Sequence, residues 1–151
     1  MKTKNILLIF AGILSFCAAI FQAVIAFVPE WSAAFGAAAL ASNPPLLLTL
    51  GLLVAFLIVI FGIYGLSGAG VIRRLPWLRL CLSVIGLLYG VVGILFITQV
   101  LVMLGILPPT RPVPIHQLLI SFGAFVAALA YLIGLAVGWK QLGRKSVAAS
   151  T

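Results

Sequence analysis

The sequence predicts an all-α, polytopic membrane protein: four transmembrane helices in an up-down bundle, both termini cytoplasmic, with residues 1–151 forming a single domain. Three observations carry this prediction. The chain is 65% hydrophobic and only 7% charged, whereas a water-facing surface needs roughly a quarter of its residues charged, with both signs mixed. Its apolar stretches form four runs, about 6–28, 46–70, 77–107 and 115–139, uncharged but for Arg79 near the start of the third, each longer than the ~20 residues that cross ~30 Å of hydrocarbon at ~1.5 Å per residue. Its charges, nine Lys and Arg against one acidic residue, fall outside those runs except Arg79. In lipid such runs must be helical, because an open strand leaves backbone groups unpaired and the runs are too long for barrel strands.

The first run follows Met1-Lys2-Thr3-Lys4-Asn5, a start that resembles a secretory signal, with Val24-Ile25-Ala26 as a weak cleavage site. Its apolar length exceeds the about 7–15 residues of a signal core. Leu14-Ser15-Phe16-Cys17 approximates a lipoprotein box, but bulky Phe16 stands directly before the cysteine. The run is therefore expected to be retained as a helix. The connection from Pro29-Glu30-Trp31 to Asn43-Pro44-Pro45 has room for a short interfacial helix, with Trp31 and Phe35 on its apolar face and Glu30 near its positive end.

Between the second and third runs lies Tyr64-Gly65-Leu66-Ser67-Gly68-Ala69-Gly70-Val71-Ile72-Arg73-Arg74-Leu75-Pro76-Trp77-Leu78-Arg79. Pro76 suits a helix start, where its missing donor would be unpaired anyway, and Trp77 suits the interface. This stretch, about a tenth of the chain, resembles the central turn of uncharacterised small four-helix inner-membrane proteins of proteobacteria. The resemblance implies the four-helix topology and no activity. The third run is the longest and is expected to tilt or to leave the bilayer at Leu104 to Leu107. After it, residues 108–114 hold four prolines in seven positions, which dictates a stiff extended tether into the fourth helix. The two proline-marked hairpins suggest a distant parallel duplication.

Cation placement orients the chain. Lys2, Lys4, Arg73, Arg74, Arg79, Lys140, Arg144 and Lys145 share one side, leaving Arg111 and Glu30 opposite. The positive-inside rule puts the crowded side in the cytoplasm of a bacterial inner membrane. The net charge of +8 is thus a topology signal, with the arginine turn suited to anionic headgroups. Nucleic acid is not an expected partner, since these short loops supply no folded basic face. Cys17 and Cys81 fall at different depths and read as small apolar fillers. The pattern of one histidine and no Cys/His cluster implies no metal and no cofactor.

Helical phase picks out faces. Ala11, Ser15, Ala18, Ala19, Gln22 and Ala26 form one stripe of the first helix, and Gly51, Ala55, Gly62, Gly65 and Ala69 one of the second. Ser83, Gly86, Gly90 and Gly93 form a stripe of the third, and His116, Gly123, Ala127, Ala130, Gly134 and Gly138 one of the fourth. Helices in lipid associate by close backbone approach over small residues, so these stripes should face inward. Gln99 falls nearly opposite the third helix's glycines. Covering both sides then calls for a homo-oligomer or a larger membrane complex, unless Gln99 snorkels to the nearby interface.

Gln22, Gln99, His116 and Gln117 form a polar layer below the outer surface, with Glu30 and Arg111 above it. Gln22 and His116 are expected to line one outward-opening pocket; the alternative is a single interhelical hydrogen bond worth about 1 kcal/mol. There is no second carboxylate, no nucleophile beside His116 and no Gly-Lys-Ser/Thr phosphate loop, so the chain is expected not to be an enzyme. The functional expectation is an accessory or assembly subunit that accommodates a small amphiphile in its outer half. A small oligomeric transporter or channel is the alternative.

Overall fold

A computed structural model describes residues 5–33, 42–73, 75–108 and 115–143. Among them every regular element is a helix: α1 (Ile6–Ala26), α2 (Pro29–Ser32), α3 (Pro44–Gly68), α4 (Leu78–Met103) and α5 (Ile115–Gly143). Four of these, with Ile115–Trp139 as the span within α5, are long and apolar enough to cross a membrane. Arg111 and the proline tether at 109–114, Lys2, Lys4, Arg74, Arg144 and Lys145 lie outside the described residues.

The helix limits follow local chemistry and shift the sequence-based bounds by a few residues. Asn5 caps α1 by accepting from the Leu8 N–H at 3.4 Å, and its amide donates to the Gly134 carbonyl at 2.6 Å. α3 begins two residues earlier than the apolar run because Asn43 caps it and Pro44 and Pro45 fill first-turn positions that need no donor. It ends at Gly68, where Gly70 at φ 76° lets the Gly70 and Val71 N–H groups return to the Ser67 and Leu66 carbonyls. The end of α4 repeats this closure. Gly105 at φ 72° and Ile106 return to Val102 and Leu101, so the helix stops at Met103 rather than running to Leu107. Pro76 does not start α4. It lies in the turn, and Trp77, left-handed at φ 56° and 77% exposed, occupies the cap position before Leu78. The first connection holds a single described helical turn, α2, secured by Ser32 Oγ donating to the Ile25 carbonyl at 2.8 Å.

The small stripes bring helices together. α1 packs mainly on α3 and α4 mainly on α5, and α1 joins the pairs through α5, while α3 meets α4 over a much shorter stretch. A β-carbon on Gly51 would stand 2.5 Å from Ala26 Cβ, and one on Gly65 would stand 3.0 Å from both Gly12 Cα and Tyr131 Oη. Gly62 faces Phe16, Gly86 faces Leu132, Gly93 lies against the Phe125 backbone and Gly134 against Leu8. Gly138 is buried. Two expected contacts are absent: a β-carbon at Gly90 or Gly123 would meet nothing within 4 Å. Gly90 is rotated ~40° from Gly86 and ~60° from Gly93 at ~100° per residue, which carries it off the narrow α4–α5 contact line.

Away from the contacts the side chains are large, apolar and exposed, including Ile13, Ile20, Leu53, Phe56, Leu87, Val91 and Ile94. An apolar exterior around a small-residue interior is the arrangement expected where lipid, not water, meets the helices. At one end, Arg79 Nη2 donates to the Trp139 carbonyl at 2.6 Å while its guanidinium lies 4.7 Å above the Trp139 ring. Nearby, Ser67 Oγ donates to the Arg73 carbonyl and accepts from the Leu75 N–H, bracing the turn.

Candidate functional site

At mid-length all four long helices contribute to one hydroxyl layer. Tyr89 of α4 donates to Ser15 Oγ of α1 at 3.0 Å, Ser15 and Tyr131 of α5 are 2.9 Å apart, and Tyr131 donates to the Phe61 carbonyl of α3 at 2.9 Å. Each hydroxyl has one proton. With Tyr89 and Tyr131 already donating, Ser15 must donate to Tyr131, which gives a one-way chain from Tyr89 to the Phe61 carbonyl. The two phenol rings stack at 5.8 Å and 11°, and Phe61 meets Tyr89 edge-on at 6.1 Å. Ser15 and Tyr131 are fully buried. The small residues at Gly65 and Gly12 leave room for the Tyr131 hydroxyl against α3, since a β-carbon at 65 would stand 3.0 Å from it.

Above this layer, toward Glu30, the helices enclose a cavity of about 600 Å³. Its walls are Leu14, Cys17, Ala18 and Gln22 of α1, Leu50, Val54 and Ile58 of α3, Tyr89 and Val92 of α4, and Gly123, Ala124 and Ala127 of α5. Ser32 of α2 lies at its upper margin with Ala26. The open space at Gly123 is this cavity. Tyr89 belongs to both features, so the hydroxyl layer is the cavity floor. No charged side chain lines it among the described residues, and Gln22 is its side-chain amide. The volume sits within the range of about 300–1,000 Å³ common to small-molecule sites, which are likewise mostly apolar with few convergent polar groups.

Of the expected polar layer, Gln22 alone among the described residues lines this cavity. Gln22 is half-buried on the cavity wall; His116, half-buried at the start of α5, does not line it, and Gln117 and Glu30 are exposed. Gln99 is 9% exposed, and its Oε1 is buried without a hydrogen-bond partner among the described residues. Both Gln99 and the Gly86 and Gly93 face of α4 are buried within one chain. Cys17 is not a buried filler but an exposed thiol on the cavity wall, while Cys81 is half-buried and also free. Tyr89 and Tyr131 were missed because a phenol counts as apolar in a hydropathy reading. Their depth was the available signal: Tyr89 lies 11 residues from Leu78, or about 16 Å, whereas membrane tyrosines favour the interfaces.

Compared with known proteins, the chain matches no family model, no curated protein and no solved structure.

Proposed function

We propose that the chain is a multi-pass protein of a bacterial inner membrane, an up-down bundle with both termini cytoplasmic, that holds the apolar part of a small amphiphile between its helices. It acts as a non-enzymatic accessory or assembly subunit, in a homo-oligomer or a larger membrane complex. The cavity above the hydroxyl layer carries this reading. An amphiphile matches a site with apolar walls, one amide and no charge, because its tail is transferred from water or lipid without stranding a polar group. The positive-inside distribution of Lys and Arg supports an outer-leaflet position for that cavity. A single-chain conduction path is disfavoured by the floor: Ser15 and Tyr131 are fully buried and their hydroxyls are committed to one another and to Phe61. The transporter or channel alternative would have to place its path between copies.

Cys17 supplies a test, since it is exposed and lines the cavity. In nanodiscs, alkylation of Cys17 by N-ethylmaleimide is expected to slow severalfold when a water-soluble single-chain amphiphile is added. A rate unchanged up to saturating amphiphile would overturn the reading.

A further inference from the structure

The four long helices form a closed set of contacts except at one seam. α1 packs along α3, α5 along α4, and α1 against α5, but α3 and α4 meet chiefly near the short turn that joins them. The contacts there include Gly68 with Leu82, Tyr64 with Cys81 and Phe61 with Tyr89. Farther from the turn, Leu50 and Val54 of α3 and Val92 of α4 line the cavity and are also 38%, 43% and 41% exposed. Of the other lining residues, Ala26, Ala124 and Ala127 are buried, while Cys17 and Phe21 of α1 and Ile120 of α5 are exposed, so the sparse α3–α4 contact is what marks that seam. The cavity thus opens sideways, through a gap whose edges are hydrocarbon, at the depth of the membrane core.

Its dimensions narrow the occupant. Along α1 the walls run from Leu14 to Ala26, twelve steps or ~18 Å at ~1.5 Å per residue, close to half of the ~30 Å hydrocarbon thickness. That is about the span of one leaflet, so a lipid tail whose carbonyl sits at Gln22 fits by bending within the ~12 Å of wall below it. Gln22 stands eight residues, about 12 Å, above Leu14 on this wall. Its amide offers two N–H donors and an acceptor, and it is a neutral group that suits an acyl carbonyl rather than a charged headgroup. Ser32, the other polar side chain at this height, is already committed to the Ile25 carbonyl.

We propose that one acyl chain of a bilayer phospholipid enters the cavity sideways between α3 and α4, with its ester carbonyl at Gln22 and its end against Tyr89. This deepens the reading of the cavity as an amphiphile site and rests on it. The headgroup and the second chain stay in the membrane.

The test uses the full chain in phosphatidylethanolamine nanodiscs doped with a phosphatidylcholine that carries a diazirine at the end of one acyl chain. After illumination, mass spectrometry locates the adducts. The expected result is labelling of Leu14, Tyr89 and Ala127, reduced severalfold in Gly123→Leu, whose β-carbon would meet nothing within 4 Å and whose side chain would take up cavity space. A matched ether-linked probe, lacking the carbonyl, is expected to label about fivefold less, as one membrane hydrogen bond of about 1 kcal/mol implies, and Gln22→Leu should erase that difference. Adducts confined to outward residues such as Phe56 and Leu87, undiminished labelling in Gly123→Leu, or an ester preference that survives Gln22→Leu would overturn the proposal. If Cys17 is still shielded by the single-chain amphiphile while no floor residue is labelled, the lipid-tail proposal falls and the amphiphile site stands. If neither occurs, both fall.

Discussion

Tyr131 and Ser15 lie 116 residues apart and share a 2.9 Å hydrogen bond at the level where all four long helices meet. That bond is the middle link of a chain that starts at Tyr89 and ends on the Phe61 carbonyl. Ser15 and Tyr131 are fully buried and Tyr89 partly so, and their hydroxyls satisfy one another in sequence, so the three side chains form one cooperative unit.

Removing a link should therefore cost more than an isolated membrane hydrogen bond of about 1 kcal/mol. Tyr131→Phe strands the Ser15 proton, and Ser15→Ala strands the Tyr89 proton; each is expected to destabilise the fold by about 1–2 kcal/mol. The double variant should lose less than the sum, with a coupling of about 0.5–1 kcal/mol, since the second substitution removes a bond already broken. Unfolding measured in mild detergent checks this; strictly additive losses would mean that the hydroxyls act independently.

Glycines that look alike in sequence should behave differently. Gly51→Ala and Gly93→Ala place a β-carbon 2.5 Å from Ala26 Cβ and 2.8 Å from Phe125 Cα, and backbone must move to admit it. A loss of about 1–3 kcal/mol is expected for each. Gly90→Ala meets nothing and should be neutral or stabilising by up to about 1 kcal/mol through helix propensity. Thermal melts of the three variants separate these outcomes, and equal destabilisation at Gly90 would show that α4 packs on a wider face.

Orientation has its own check. With Lys2, Lys4, Arg73, Arg74, Arg79, Lys140, Arg144 and Lys145 on one side, reporter fusions ahead of Lys2 and after Lys145 are expected to read cytoplasmic and one at Ala38 periplasmic. A periplasmic C-terminus would overturn the assigned sidedness.

The sequence was most legible where one physical constraint acts along one helix. Run length against bilayer thickness yields the four long helices, and small-residue phase yields the buried positions Ala11, Ala19, Gly62, Gly65, Ala127 and Gly134. It was less legible where backbone closure or three-dimensional divergence decides. Gly105 ends α4 four residues short of its apolar run, and Trp77 takes a left-handed conformation that no propensity favours. Gln22 and Ala18 belong to the inward stripe yet stand on a cavity wall, because α3 and α4 separate above Phe61 and Tyr89. No pattern on a single helix records that separation. His116, alike in phase and depth with Gln22, is not among the residues that line the cavity at Gln22.

The central claim is that the space around Gln22, Cys17 and Gly123 is a binding site. Native mass spectrometry of the chain released from nanodiscs tests it most directly, read beside Gly123→Leu, whose side chain would occupy that space. The account predicts one retained amphiphile per copy in the parent chain and its loss in Gly123→Leu, with the thermal midpoint maintained. Equal retention in both chains, or none in the parent, would contradict it.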